Sequence, residues 1–248
     1  MKITKTLIIS FSLLFFAQML MGQKNVSTFG LTVRPGFPNK FFRTGPLNFS
    51  DSSIQYSVVQ KSGISFGGLV RHGITERLSL ETGIIYTKRN YELTLTDTSF
   101  TGTGDFSIIG YEIPISLLVF LQLDPNLWMD VGLGGNLNIF PSDVTNYRDY
   151  YVQYSAREQK INAGVMAHLG VEYRTKKSGY FYLGFVYLRS VGNIYNTLIE
   201  YYPQRDFSIP FTSIGRTKLQ GDYFGIDLKY FFHEEPEKKV KKKKNTAK

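Results

Sequence analysis

Apolar and polar residues alternate along eight stretches of the chain, and this period of two predicts β-strands with one apolar and one polar face. The connections between the stretches are alternately long and short. Up-and-down barrels of bacterial outer membranes have this rhythm, because their periplasmic turns are short and their extracellular loops are longer. The pattern therefore predicts an all-β fold, an eight-stranded antiparallel up-and-down transmembrane β-barrel. Its strands are predicted at 27–35, 64–72, 78–92, 106–121, 127–139, 159–174, 180–192 and 219–232.

The two faces of the predicted strands differ in composition. In 127–139, Leu133 lies on an apolar face and Asn136 on a face rich in glycine and asparagine. Small residues fit the narrow interior of an eight-stranded barrel, so we place the second face inside. A soluble lipocalin-like ligand-binding barrel in the periplasm is the alternative, and it would turn Leu133 inward and Asn136 outward. The mean hydropathy of −0.15 does not separate the two, because only every second residue of a membrane strand faces lipid.

The polar face also carries charged residues of both signs. An uncompensated buried charge costs several kcal/mol, so we expect these residues to pair or to contact water in the lumen. A packed network is favoured over a conducting pathway, because eight strands normally leave no open pore. The predicted lumen charge network consists of Arg34, Arg71, Glu81, Arg89, Glu112, Asp130, Glu172, Arg174, Asp227 and Lys229.

The two ends of the chain differ from its middle. Residues 1–22 have a positive start and an apolar run too short for a membrane helix, which is typical of a cleaved signal peptide. The barrel is then expected at 23–232. Residues 233–248 carry four of the nine net positive charges and are predicted to be a disordered tail. The charge of the barrel region is nearly balanced, which argues against nucleic-acid binding.

The basic tail is the candidate for a periplasmic partner. Lysines near an anionic surface are attracted to it, and salt screens the attraction. We expect a salt-sensitive tether to the cell wall or to a periplasmic protein. The alternative is a solvated tail that only aids solubility.

Two short motifs resemble those of known outer-membrane barrels. The last predicted strand resembles the terminal signal that the barrel assembly machinery recognises, through Gly225, Leu228, Tyr230 and Phe232. The segment Tyr111-Glu112-Ile113-Pro114-Ile115 is similar to the Glu-Ile-Pro segment of the Bacteroidetes outer-membrane β-barrel family that includes PorT-like proteins. The resemblance implies a barrel in the outer membrane of a Gram-negative bacterium, with membrane lipid and the assembly machinery as partners, and an accessory role in secretion. Because proline donates no ladder hydrogen bond, we expect a bulge at Pro114.

The long connections are the candidate recognition surface. Tyrosine and arginine, which are enriched where proteins bind partners, are concentrated in 140–158 and 193–218. The alternative is that strands continue beyond the membrane and the tyrosines only pack on them. The candidate recognition residues are Tyr147, Arg148, Tyr150, Tyr151, Tyr154, Tyr201, Tyr202 and Arg205.

Candidate catalytic and metal-binding residues are few. The chain has three histidines and no cysteine, so thiolate chemistry and disulfides are excluded. His72 and His233 fall at the predicted periplasmic ends of strands, and His168 lies within a strand and faces inward. A rim enzyme would require a base at the extracellular rim, and no histidine is predicted there. His72 and His233 lack a clear third metal ligand, so we expect a non-enzymatic protein without cofactor or metal.

Overall fold

The computed structural model of the protein describes residues 26–38, 45–98, 100–175, 178–202 and 210–233. The predicted signal peptide and the predicted tail beyond His233 lie outside these residues. Among the described residues no helix is long and apolar enough to cross a membrane. The described chain forms antiparallel strands at β1 Ser27–Phe37, β2 Leu47–Asp51, β3 Ile54–Gly73, β4 Leu78–Thr96, β5 Thr101–Asp124, β6 Leu127–Ile139, β7 Val144–Arg148, β8 Tyr151–Arg157, β9 Ile161–Arg174, β10 Tyr180–Ser190, β11 Asn193–Tyr201, β12 Ser213–Gln220 and β13 Tyr223–Phe231.

Eight of these strands form a closed ring of antiparallel pairings, in the order β1, β3, β4, β5, β6, β9, β10 and β13. The ring closes because β1 pairs with β13 on one side and with β3 on the other. Each ring strand contains one predicted strand or most of it. The described chain nevertheless has thirteen strands rather than the eight predicted, because three of the long connections contain strands of their own.

An apolar belt covers the outside of the ring, and polar side chains fill its inside. Leu133, at the centre of β6, is 67% exposed, whereas Asn136 on the same strand is 3% exposed. These faces are the reverse of those that the soluble lipocalin-like alternative requires. The belt continues around the ring through exposed residues that include Phe29, Leu31, Phe66, Ile84, Leu117, Val131, Val165, Leu169, Leu183, Phe185 and Leu228.

The two ends of the ring differ in their connections. Three short turns, from β3 to β4, from β5 to β6 and from β9 to β10, lie at the same end as the first residues of β1 and the last of β13. The other connections between consecutive ring strands, three of which contain strands of their own, lie at the opposite end. Pro114 causes no bulge: Thr82 pairs with Ile115 and Ile85 with Glu112, so one register continues past the proline. The predicted bulge is therefore wrong, although Glu112 is buried inside the ring as expected.

A second layer, here called the platform, stands on the end with the long connections. It consists of β2, the ends of β3, β4 and β5 that extend beyond the ring, and a four-stranded sheet in the order β12, β11, β8 and β7. β12 lies beside β2 and β7 lies beside β5, so the two sheets enclose a common core. That core contains Ile54, Tyr56, Val58, Tyr91, Leu93, Leu95, Phe106, Ile108, Phe140, Tyr151, Ile194, Tyr195, Ile199, Tyr201 and Leu219.

Candidate functional site

The structure places the predicted lumen charge network inside the ring. Nine of its ten residues are at most 4% exposed, and the side chain of Arg174 is 14% exposed. Four arginines and one lysine lie with five carboxylates, so the network carries no net formal charge. This balance is what a buried set of charges requires, because each ion loses its hydration and needs a partner of opposite sign.

Glu81 accepts hydrogen bonds from two cations of the network, Arg71 and Lys229, and so connects them. Arg71 donates from Nε and Nη2 to Oε2 of Glu81 at 3.2 and 3.0 Å, and Lys229 donates to Oε1. Arg71 also donates through Nη1 to Glu172, which accepts a bond from Arg174 at 2.6 Å. Four ring strands are thereby connected by charge-assisted hydrogen bonds.

Three further ion pairs extend the network toward the platform. Arg34 Nε is 3.0 Å from a carboxylate oxygen of Asp227, and Lys229 lies 3.4 Å from the other oxygen. Arg89 donates to Glu112 at 2.9 Å, and Tyr223 donates its hydroxyl to the second oxygen of Glu112 at 3.0 Å. The network therefore follows the interior from one end of the ring toward the other.

Asp130 is the predicted network residue that forms no ion pair. It is fully buried, and neither of its carboxylate oxygens has a hydrogen-bond partner within the described part of the chain. His168 is also buried and lies against Gly132, where a Cβ atom would stand 1.9 Å from the imidazole Nε2. Gly132 is therefore required by the close approach of this ring.

We predict that Gly132→Ala lowers the free energy of unfolding by about 1–3 kcal/mol, the usual cost of overpacking a filled interior. Urea unfolding of the protein in phospholipid vesicles measures the change. Gly135→Ala is the matched control, because that glycine is on the outward-facing side of the same strand and its Cβ would meet only ordinary contact at 3.5 Å. Equal midpoints for the two variants would contradict the packed interior.

The platform closes at two seams that no continuous backbone ladder crosses. At the β2–β12 seam, the Asp51 carboxylate accepts hydrogen bonds from the Ile214 amide and the Ser213 hydroxyl, both at 2.9 Å. Tyr56 donates its hydroxyl to Ser213 at 2.7 Å. One carboxylate thus holds the edge of one sheet to the edge of the other. The Ile214 amide, followed by the Ser213 hydroxyl, lowers the pKa of Asp51 below its ordinary value.

This seam is expected to weaken in acid. A carboxyl whose pKa is lowered by folding stabilises the fold above its unfolded pKa of about 3.9, and that contribution is lost as the pH falls through the folded pKa. We predict that amide hydrogen exchange at Ile214, corrected for intrinsic rates, becomes faster in the wild type below about pH 4. In Asp51→Ala it should already be fast at neutral pH, because alanine offers no acceptor to the Ile214 amide or the Ser213 hydroxyl. Identical protection in the two proteins at every pH would show that Asp51 does not hold the seam.

The β5–β7 seam is closed by tyrosines and an asparagine. Tyr150 donates to the Thr103 carbonyl at 3.0 Å, and Asn146 donates to the Asp105 carbonyl at 3.2 Å. Gly102 and Gly104 allow this contact, because a Cβ at either would lie within 2.4 Å of a tyrosine atom. The platform is therefore a packed body, and its tyrosines form part of that packing.

The structure separates the described members of the predicted recognition residues into three groups by their burial. Tyr151 and Tyr201 lie in the platform core, so their prediction as an exposed surface is wrong. Tyr150 and Tyr202 are half-buried, and Arg205 lies outside the described residues. The exposed members are Tyr147, which is 70% exposed, Arg148 and Tyr154.

Tyr154 is held in place on the platform surface. It is 42% exposed, and its hydroxyl donates to Asp143 at 3.2 Å. Asp143 also accepts from the amide and guanidinium of Arg157 at 3.0 and 2.9 Å, and these bonds lower the pKa of Asp143, the amide contributing most. A ring fixed in this way loses little conformational entropy when it binds a partner.

The predicted assembly signal lies on both faces of β13 and just beyond its end. Gly225 is buried in the ring, Leu228 and Phe232 are exposed on the belt, and Tyr230 is half-buried. The rings of Tyr230 and Phe232 are 5.2 Å apart. His72 and His233 are exposed at the end with the short turns, and the described residues contain no group of three metal-binding side chains.

Comparison with solved structures identifies the type of fold. The protein is similar to the outer membrane protein OprG from Pseudomonas aeruginosa, with a TM-score of 0.56 and 13% identity over 87% of this chain and 100% of that chain. It also aligns with the outer membrane protease OmpT from Escherichia coli, at 11% identity over 84% of this chain and 94% of that one, but the TM-score is only 0.29. No family model and no curated protein sequence matches. The fold is an antiparallel all-β fold similar to that of an outer-membrane β-barrel protein.

Residues of the platform core were not found from the sequence, although a signal for them exists. Phe140 and Tyr195 pack edge to face at 5.3 Å, and Tyr195 donates to the Ser142 carbonyl at 2.7 Å. In 195–201 every second residue is buried. Tyr195, Ile199 and Tyr201 lie on this buried face and Asn196 and Glu200 on the other, so a period of two is present. Thr197 and Leu198 break the alternation of apolar and polar residues, which weakens the signal.

Proposed function

We propose that the protein is a non-enzymatic outer-membrane β-barrel whose eight ring strands cross the membrane and whose platform is an extracellular recognition module. One observation carries the proposal: an exposed apolar belt surrounds a ring whose interior holds buried charges, nine of the ten predicted ones in ion pairs. In water this arrangement would expose a large apolar surface, whereas in a bilayer the belt contacts lipid. β6, with 13 residues, exceeds the roughly 9–11 that a tilted strand needs to span the membrane.

The interior supports a sealed barrel. Ion pairs at several levels and the contact of His168 with Gly132 fill the lumen with side chains. We therefore assign the network to stability and place the recognition function on the platform. The resemblance of residues 111–115 to PorT-like barrels extends this proposal to an accessory role in secretion.

The platform supports recognition because its exposed aromatic and basic side chains are presented by a sheet with its own apolar core. Rigid aromatic anchors bind with a low entropic cost. None of the three histidines lies on the platform, which favours a binding role over rim catalysis.

Site-directed labelling tests this placement, and the absence of cysteine from the chain makes each introduced thiol unique. On intact cells a membrane-impermeant maleimide should label Tyr147→Cys on the platform. Asp124→Cys, next to a short turn, should react only after the outer membrane is permeabilised. Leu133→Cys should remain unlabelled in both conditions, because lipid covers it. Labelling of Asp124→Cys on intact cells would overturn the orientation.

A further inference from the structure

A groove on the outward face of the four-stranded sheet combines cations, an aromatic ring and small side chains. Its volume is about 690 Å³. The residues that determine its character are Tyr154, Ala156, Asn196, Leu198, Arg216 and Lys218. Because the opposite face of this sheet is packed on the platform core, the groove is supported by a rigid floor.

The strand register arranges these residues in two rows. In one row Tyr154 pairs with Leu198, which pairs with Arg216. Strands lie about 4.8 Å apart, so the tyrosine and the arginine stand on opposite sides of a floor about 10 Å wide. This width is sufficient for a sugar ring.

The second row has smaller side chains, which deepen the groove. Ala156 pairs with Asn196, which pairs with Lys218. The small alanine leaves space beside the Tyr154 ring, and the asparagine supplies an amide for hydrogen bonds. Lys218 is two residues from Arg216, which places the two cations about 7 Å apart along one edge of the groove.

The charge of the groove is of one sign. Arg216 and Lys218 form no ion pair with the described residues, and no carboxylate lines the groove. Glu200, on the same face of the sheet, accepts a hydrogen bond from Tyr202 at 3.0 Å. Arginine binds phosphate and carboxylate through two parallel hydrogen bonds, and lysine adds a mobile positive charge. The groove is therefore complementary to an anion that also has a flat apolar face.

The groove stands next to the apolar belt. β8 leads into β9, whose first residue, Ile161, is 56% exposed. Val191, in the turn between β10 and β11, is 64% exposed, and Arg189 adds an exposed cation at the same end of β10. The groove therefore lies close to the edge of the belt, at the level where the proposed orientation places the headgroups of the outer leaflet. Basic residues at this level attract anionic headgroups.

We infer that this groove binds the anionic saccharide headgroup of an outer-leaflet glycolipid of the lipopolysaccharide type. Arg216 and Lys218 bind its phosphate or carboxylate groups, and Tyr154 packs against a sugar ring. The inference rests on the proposed function, because it requires the platform to lie outside the membrane. It adds a ligand class to the platform that the barrel fold alone does not imply.

The test is a titration of the full mature chain, purified in detergent, with lipopolysaccharide, followed by native mass spectrometry. Each lysine or arginine near an anionic headgroup contributes about 1 kcal/mol, so Arg216→Gln/Lys218→Gln should weaken binding about thirtyfold. Tyr154→Leu should also weaken binding but leave its salt dependence unchanged. Arg77→Gln and Lys218→Gln each remove one positive charge, so Arg77→Gln, at the end with the short turns, is the matched control for Lys218→Gln measured alone. Each variant is first checked for its folded circular dichroism spectrum, and Lys218→Gln alone replaces a double variant that does not fold.

Two further probes distinguish the source of the anion. Phosphatidylglycerol is anionic but has no sugar, and lipid-free core oligosaccharide has the sugar but no acyl chains. Both should bind more weakly than lipopolysaccharide. If phosphatidylglycerol binds as tightly as lipopolysaccharide, the groove only attracts negative charge. If the free oligosaccharide binds as tightly, the ligand is a soluble glycan. Either result overturns the inference.

The labelling experiment separates this inference from the proposed function. If Tyr147→Cys is labelled on intact cells and the double variant binds lipopolysaccharide as tightly as the wild type, the groove assignment is wrong while the platform remains extracellular. If Tyr147→Cys is not labelled on intact cells, the proposed orientation fails as well.

Discussion

Replacement of Glu81 by Ala should lower the free energy of unfolding by about 3–5 kcal/mol, the cost of removing one partner from buried ion pairs. Glu81 accepts hydrogen bonds from both Arg71 and Lys229, and all three side chains are nearly inaccessible to solvent. Arg71 would keep its bond to Glu172 and Lys229 would keep Asp227, but the interior would then hold one more positive than negative formal charge in a space that excludes water. Urea unfolding in phospholipid vesicles measures the loss through fluorescence of Trp128, the only tryptophan, which packs against Arg174.

Two comparisons separate this effect from a general loss of charge. Glu92 pairs with Lys61 on the platform surface, where both side chains are at least 34% exposed, so Glu92→Ala should change the midpoint little. Glu81→Ala/Lys229→Met also removes the excess positive charge and should recover part of the loss. A Glu81→Ala midpoint equal to that of Glu92→Ala would mean that water reaches the network.

The identity of the lumen residues could be predicted because a strand has a period of two. Once Leu133 is assigned to the outside, every second residue of its strand is inside, and the same reasoning applies to each ring strand. The ion pairs could not be predicted in this way. Arg71 pairs in register with Glu81 on the neighbouring strand, but its bond to Glu172 crosses the interior. Such a contact depends on how the ring closes.

Strand boundaries were accurate where turn residues mark them. β6 has the predicted bounds, because Pro125-Asn126 precedes it and Pro141 follows it. β3 begins at Ile54, ten residues before the predicted start. Its alternation is interrupted around Lys61, where the register with β4 shifts between Lys61 and Ile64. A bulge breaks the period of two, so the alternation predicts only the part of the strand after the bulge.

The sequence pattern does not predict the platform, and this is the larger difference between the predicted and the observed fold. Tyrosine-rich connections indicate a binding surface as readily as a packed layer, since aromatic residues suit both. What decides between them is the partner sheet. Tyr151 is buried because Gly104 on β5 leaves room for its ring, and those residues are 47 positions apart. The local sequence around either residue does not indicate that the loop tyrosine contacts this distant glycine.

Replacement of Leu133 by Arg should prevent assembly in the membrane or lower the free energy of unfolding by about 2–4 kcal/mol, the cost of a midplane arginine on a membrane strand. Leu133 is the central residue of β6 and is 67% exposed, so the proposed bilayer would surround it. Asn136→Ser, on the inner face three residues away, should be tolerated, because serine remains polar and is smaller. The folded fraction in phospholipid vesicles and its urea midpoint measure both variants, and equal tolerance would reject the assignment of the faces.

A second arginine substitution isolates the contribution of lipid. Thr145 lies on the exposed face of β7, so Thr145→Arg also introduces a cation on an outward-facing strand position. In water an exposed arginine costs little, whichever strand carries it, whereas in a bilayer the cost depends on depth. Leu133→Arg should therefore destabilise the protein far more than Thr145→Arg. Similar midpoints for the two arginine variants would place both positions in the same solvent and remove the membrane from the proposal.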